Sequence, residues 1–129
     1  MIFSKTSRGL IMLGAISGFL SIILGAFGAH AIKQWLAPDL MSVYQTAVSY
    51  QIYHSLGLLL LGLIYHHHQN SLIRAAGWLM ISGTVIFSGS LYILALADIR
   101  WLGAVTPVGG SFLILSWLLL AIGIRKQAS

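Results

Sequence analysis

Four long apolar segments constrain this chain more than any other feature. They cover residues 10–31, 43–65, 75–97 and 102–124, and each holds about 22 or 23 residues with almost no charge. A helix rises about 1.5 Å per residue, so a segment of that length crosses about 30 Å of hydrocarbon. The connecting segments are short enough to join only neighbouring antiparallel helices. The sequence therefore predicts an all-α membrane protein, a single antiparallel bundle of four transmembrane helices.

Composition and charge exclude the main soluble alternatives. Charged residues make up 7% of the 129 residues, whereas soluble domains carry about a quarter. Polar side chains are therefore too few to cover the surface of a water-soluble fold. The net charge of +5 is scattered at the ends of the apolar segments, which argues against nucleic acid as a partner. The lipid bilayer is the expected surrounding of nearly the whole chain.

The distribution of basic residues predicts the orientation of the bundle, because Lys and Arg are retained on the cytoplasmic side. Both acidic residues, Asp39 and Asp98, fall on one side together with Lys33 and Arg100. The other five basic residues fall on the side of the two termini: Lys5, Arg8, Arg74, Arg125 and Lys126. We therefore expect the N and C termini to be cytoplasmic.

The first apolar segment carries a stripe of small residues spaced three or four apart. Its members are Gly14, Gly18, Ser21, Gly25 and Gly28. Such a stripe lets two helix backbones approach closely, either across a dimer interface or against other helices of the same chain, and a four-helix bundle favours the second reading. The segment also resembles a secretory signal that ends in Ala29-His30-Ala31, but it is longer than a signal core. We expect it to be a retained first helix.

The second segment is the most polar of the four. Its first half, residues 43–54, reads VYQTAVSYQIYH, and lipid cannot satisfy these side chains, so most should face protein or water. His54 lies about 16 Å along the helix from Val43, near the bilayer midplane. There it is either a neutral strut that hydrogen-bonds neighbouring helices, or a group that binds a ligand or carries a proton.

Polar residues of the other segments recur at matching depth. Thr84, Ser88 and Tyr92 follow one another at steps of four in the third segment and so share one helix face. We expect a polar ligand pocket in the outer half of the bundle, built from His30, Gln51, His54, Ser88, Tyr92, Arg100 and Thr106.

The start of the fourth helix has two interpretations. Thr106 followed by Pro107 is a typical helix start, with Thr as the N-cap. If the helix begins there, residues 98–105 form a re-entrant or interfacial segment, and free backbone N–H groups point into the pocket. Alternatively, the helix begins at Leu102 and Pro107 produces only a mild kink.

Catalytic and metal-binding patterns are missing from the sequence. It contains no cysteine, no paired carboxylates, no Ser-His-Asp arrangement and no phosphate-binding glycine loop. The run His66-His67-His68 could bind metal, but adjacent side chains point in different directions on a regular element. We expect a protein that is not an enzyme and that holds no metal and no cofactor.

Four motifs carry a resemblance to a known family. They are GAFGAHA at residues 25–31, TAVSYQIYHSLGLL at 46–59, FSGSLYILAL at 87–96 and RWLGAVTPVGG at 100–110. In these the chain resembles the YgdD/YwdK-like family of small inner-membrane proteins, domain-of-unknown-function family 423, which is related to eukaryotic transmembrane protein 256. The resemblance implies a multi-pass protein of the bacterial inner membrane with four helices. It implies no activity, substrate or catalytic residue.

Two functions are compatible with these features. In the first, the polar pocket binds or transports a small molecule or a lipid headgroup, and transport by so few helices would require a homo-oligomer. In the second, the chain is a structural or accessory subunit that packs against another membrane protein, and its polar residues form only interhelical hydrogen bonds.

Overall fold

The computed structural model describes residues 2–128, and every regular element in that range is helical. The four long helices are α1 (Lys5–His30), α2 (Pro38–His67), α3 (Ser71–Ala97) and α4 (Thr106–Ala128), while the short 3-10 helices Ile32–Gln34 and Arg100–Ala104 precede α2 and α4. Four helical spans are long and apolar enough to cross a membrane. The predicted four-helix membrane fold is confirmed.

The helices pack in chain order, with α1 against α2, α2 against α3, and α3 against α4. We call the end of the bundle that holds the termini and the α2–α3 loop the Arg74 end, and the opposite end the Arg100 end. Two apolar clusters form the core. The larger contains Leu10, Leu58, Leu61, Tyr65, Ile73, Ala76, Met80 and Leu113, and the smaller contains Met41, Tyr44, Val48 and Ala95.

Local sequence accounts for where the helices begin and end. The side chain of Ser4 accepts the Ser7 N–H at the start of α1, and that of Asn70 accepts the Ile73 N–H at the start of α3. These are N-caps of the preferred residue types. Helix α3 ends at Ala97, and the next residue, Asp98, has a φ of 52°, the left-handed conformation that Asp adopts more readily than most residues.

The small-residue stripe of α1 packs against α2 of the same chain. Its closest approaches are at the two ends. A Cβ atom on Gly14 would lie 2.8 Å from the backbone oxygen of Ser55, and one on Gly28 would lie 2.5 Å from the ring of Tyr44. Only glycine fits without a shift of the α2 backbone at Gly14, or of the Tyr44 ring at Gly28. The stripe is therefore occupied within the bundle.

The start of α4 combines the two interpretations of the sequence. The α-helix begins at Thr106 and follows a 3-10 helix over residues 100–104. The Thr106 hydroxyl donates to the Leu102 carbonyl instead of capping the helix, and the Val108 N–H donates to the Val105 carbonyl. The Val108 N–H is therefore not free, and the expected row of free N–H groups is interrupted at that position.

Candidate functional site

A groove between α1 and α3 is the main cavity that involves the predicted site residues. It has a volume of about 440 Å³, within the range of small-molecule sites. Helix α2 forms its floor, because α1 and α3 both pack on α2. We call it the α1–α3 groove. It is lined by Leu13, Ile16, Ser17, Leu20, Ile23, Leu24, Gln51, Leu58, Ile81, Thr84, Val85, Ser88, Gly89 and Tyr92.

Gln51 connects the two walls of the groove. Its amide nitrogen donates to the Ser17 backbone oxygen of α1 at 3.1 Å, and its amide oxygen accepts from the Tyr92 hydroxyl of α3 at 2.6 Å. Ser55, one turn further along α2, lies 2.8 Å from the Ser17 hydroxyl. Gln51 is 8% exposed. A buried amide with both ends bonded fixes the distance between α1 and α3.

Three hydroxyl groups of α3 lie along the groove, four residues apart. The hydroxyl of Thr84 donates to the Met80 carbonyl at 2.7 Å, and that of Ser88 donates to the Ala47 carbonyl at 2.8 Å. The third, on Tyr92, donates to Gln51. Each hydroxyl has a single hydrogen, so the three oxygens retain only the capacity to accept. Thr84, Gln51 and Ser17 lie close to the midpoints of their helices, which places the polar residues of the groove deep in the membrane.

His54 lies outside the groove, on the side of α2 that faces α4. The Trp117 indole N–H donates to its Nε2 at 3.1 Å, and its Nδ1 lies 2.7 Å from the Tyr50 carbonyl. An indole nitrogen can only donate, so Nε2 is the acceptor and Nδ1 carries the hydrogen. This pattern satisfies a neutral imidazole completely. The geometry is that of the strut hypothesis, and it joins α2 to α4.

The remaining three predicted residues lie near the Arg100 end. Arg100 is exposed and binds the carboxylates of Asp39 at 3.0 Å and Asp98 at 2.8 Å, which ties the start of α2 to the end of α3. His30 is exposed as the last residue of α1. Thr106 lies 2.7 Å from the Ser90 hydroxyl between α3 and α4. The structure thus brings Gln51, Ser88 and Tyr92 together. The other four predicted residues lie elsewhere, three of them near the Arg100 end and His54 on the side of α2 that faces α4.

Sequence reasoning missed two polar contributors at this depth. Ser17 lies among apolar residues of α1. The feature that could have identified it is its hydroxyl group directly before Gly18 of the small-residue stripe. The second is Trp117 of α4, which was not singled out from the sequence. Its indole N–H needs an acceptor inside a membrane, which is a general signal for a nearby buried acceptor such as His54.

Comparison with known proteins places the chain among bacterial membrane proteins of unknown activity. The family model described as "Protein of unknown function (DUF423)" matches residues 24–110. The chain belongs to this family. It is 47% identical to a UPF0382 membrane protein of Staphylococcus epidermidis, over 92% of this chain and 96% of the relative. It is 49% identical to a UPF0382 membrane protein of Staphylococcus haemolyticus, over 90% and 94% of the two chains. No solved structure matches the chain.

The relatives also include the UPF0382 membrane protein YwdK of Bacillus subtilis, which is 42% identical over 90% of this chain and 95% of its own length. The DUF423 match begins at residue 24, so it covers the α2 and α3 sides of the groove. Most of the α1 side lies before residue 24. The more extended similarity to the staphylococcal proteins spans nearly the full chain, as expected if all four helices are shared.

Proposed function

We propose that this family member binds a neutral, mostly hydrocarbon molecule that carries a hydroxyl or N–H donor, in the α1–α3 groove. One observation carries the proposal: a cavity of about 440 Å³ has aliphatic walls and a row of hydroxyl oxygens along one side. Among the described residues that line the groove, none is Asp, Glu, His, Lys or Arg. A charged headgroup would have no counter-charge there, which favours an uncharged ligand.

The hydrogen bonds of the groove specify the chemistry of the ligand further. The hydroxyl hydrogens of Thr84, Ser88 and Tyr92 are all donated within the protein. Their oxygens can accept but cannot donate. A long-chain alcohol or a similar amphiphile supplies the missing donor, whereas an ether or ester of the same length does not. The hydroxyl hydrogen of an alcohol dissolved in hydrocarbon has no acceptor, which is costly, and the groove supplies one. An ether or ester has no such hydrogen and gains nothing. The groove should therefore bind the alcohol more tightly.

The exposed rim of the groove favours entry from the bilayer. Ile16 and Val85, on opposite walls, are 47% and 67% exposed, so the cavity opens sideways toward lipid. A molecule dissolved in the membrane can enter without crossing the headgroup layer. We propose binding rather than transport, because a sideways opening provides no path from one aqueous side to the other. We propose no catalytic step, because none of the described residues that line the groove is a carboxylate, His or Lys that could act as a general base. As an all-helical bundle, the chain is best assigned to the bacterial inner, or plasma, membrane.

Photolabelling in vesicles tests the proposal. The protein is reconstituted in phosphatidylcholine vesicles with a diazirine-bearing hexadecanol-type probe, and labelled residues are mapped by mass spectrometry. We expect labels on the α1 and α3 residues that line the groove. Thr84→Val removes one acceptor from the groove, and the Thr84 hydroxyl bonds only its own helix, so no bond between helices is lost. Labelling should weaken roughly fivefold, as expected for the loss of about 1 kcal/mol of binding free energy. The methyl ether of the same probe should label the wild type correspondingly less.

Two glycine variants provide the matched comparison. A Cβ atom on Gly89 or on Gly9 would meet nothing within 4 Å, so both positions tolerate leucine. Gly89 lines the groove, whereas Gly9 lines an adjoining cavity nearer the start of α1, which shares only Leu13 and Ile81 with the groove. Gly89→Leu should abolish labelling and Gly9→Leu should preserve it. Equal labelling of both variants, or equal labelling by alcohol and ether, would refute the proposal. Exclusion of the probe by a co-purifying protein helix would support the accessory-subunit function instead.

A further inference from the structure

The exposed side of α2 is polar where lipid should be. Four side chains on this side form what we call the α2 polar face: Gln45, Ser49, Tyr50 and Tyr53. Tyr50 is 40% exposed and Tyr53 is 58% exposed. Within residues 2–128, none of the four side chains makes a hydrogen bond, although the two tyrosine rings touch aromatic neighbours. Four amide or hydroxyl groups are therefore without partners on an outer surface of the bundle.

The depth of the α2 polar face makes this arrangement unfavourable in lipid. Tyr53 lies close to the midpoint of α2, which spans Pro38–His67, so its hydroxyl is too deep to reach the headgroup layer. The same exposed side continues toward the Arg74 end as Leu56, Leu60 and Leu63, which is the composition that hydrocarbon favours. The contrast within one helix indicates that the polar half contacts protein.

The α2 polar face is separate from the groove of the proposed function. Gln51 and Leu58 line the groove, and successive helix positions at about 100° steps place them on the side of α2 opposite Ser49 and Tyr53. The small-residue stripe of α1 is also packed against α2, and only Gly25 and Gly28, near its end, border a depression beside the α2 polar face. The α2 polar face is thus a surface with unsatisfied groups that neither the fold nor the groove uses.

We propose that the α2 polar face binds a second copy of this chain. Two copies in one membrane share the same orientation, so a two-fold axis must run along the membrane normal and place identical residues opposite each other at equal depth. Such self-pairing works only for groups that both donate and accept. Gln45, Ser49, Tyr50 and Tyr53 all meet this condition, and the face carries no charge that would repel its own copy.

The surface beside the face is shaped to receive a side chain. A depression of about 340 Å³ lies between α1 and α2, lined in part by Gly25, Gly28, Gln45 and Ser49. The glycines lower the surface of α1 next to the polar residues of α2. At the depth of Gln45, the amide of the second copy enters this depression and pairs with the amide of the first, which satisfies both groups in a dry interface.

Disulfide cross-linking in native membranes tests the dimer, because the chain contains no cysteine. Ser49→Cys places a thiol on the α2 polar face, and Ser111→Cys is the matched control, since Ser111 is exposed on α4 and bonds only its own helix. Two cysteines that face each other across a two-fold axis between packed helices come within disulfide distance. We expect a covalent dimer for Ser49→Cys under mild oxidation and no dimer above background for Ser111→Cys.

Association measured in vesicles gives an independent readout. With fluorophores attached at Ser111→Cys, energy transfer should fall as lipid dilutes the protein. Adding Gln45→Leu and Tyr53→Phe removes three of the pairing atoms per copy and should raise the protein fraction needed for half-maximal transfer by roughly tenfold or more. Unchanged association, or equal cross-linking at positions 49 and 111, would overturn the proposal. Cross-linking of Ser49→Cys only to a different protein would overturn the second copy as the occupant, and alcohol binding in the α1–α3 groove would be unaffected by any of these results.

Discussion

The crossing of α3 and α4 provides the sharpest test of the packing. A Cβ atom on Gly109 would lie 2.8 Å from the Phe87 Cα and 3.0 Å from the Gly83 oxygen, and closer still to the Phe87 backbone nitrogen. These are backbone atoms that cannot rotate away. Gly110 is the neighbouring position on α4, and a Cβ atom there would make only ordinary contacts, at 3.6 Å and 3.7 Å from the Phe87 ring. We therefore compare Gly109→Ala with Gly110→Ala.

The expected difference in the free energy of unfolding follows from two terms. Alanine favours the helix over glycine by up to about 1 kcal/mol, and this term is nearly equal at two adjacent positions. Only Gly109→Ala forces the helices apart, and overpacking of this kind costs about 1–3 kcal/mol. The shift also stretches the Ser116 hydrogen bond to the Ala76 carbonyl, now 2.6 Å long. The free energy of unfolding of Gly109→Ala should therefore be lower than that of Gly110→Ala by about 1–3 kcal/mol.

Unfolding in mixed micelles with increasing dodecyl sulfate measures this difference. Tryptophan fluorescence and helix content are followed for wild type and both alanine variants. We expect Gly110→Ala to match or exceed the wild type and Gly109→Ala to unfold at lower dodecyl sulfate. Coincident transitions for the two variants would mean that α3 and α4 do not cross at Gly109, and the reasoning from close approach would fail.

Three further predictions concern topology and the buried polar groups. In intact cells, a cysteine at Ser4 should be shielded from an impermeant thiol reagent and one at Asp39 should react, and labelling at Ser4 would invert the predicted orientation. His54→Gln loses the bond from Trp117, so its melting curve should show a loss of about 1 kcal/mol, while alcohol labelling of the groove stays unchanged. Reduced labelling would assign His54 a role in binding. The Tyr44 hydroxyl donates to the Leu24 carbonyl of α1; Tyr44→Phe keeps the ring but removes this bond, and should also lower the free energy of unfolding by about 1 kcal/mol. An unaltered melting curve would mean that this bond adds no net stability.

Much of the candidate site was predictable from the second and third apolar segments. Gln51, Ser88 and Tyr92 are polar residues at a depth where lipid cannot satisfy them, so an inward orientation follows from solvation alone. Their partners were not predictable. Gln51 bonds a backbone oxygen of Ser17, and nothing in residue type marks one carbonyl of α1 over another. Tyr53 is the counterexample, because it is as polar as Tyr92 yet lies on the outer surface of the bundle.

The lipid surroundings, the number of helices and their antiparallel order were predictable without a structure, because they depend on the length of the apolar segments and on the shortness of the loops. It was also predictable that α1 offers a surface for close approach, since glycine spacing is a local property. The rotation of each helix about its axis and its tilt toward its neighbours became visible only in the folded bundle. A rotation of half a turn leaves the hydropathy of a segment unchanged, but it decides whether His54 meets Trp117 or the groove. Those angles result from side-chain packing among all four helices, and that packing opens a cavity between α1 and α3 while α3 and α4 stay in contact.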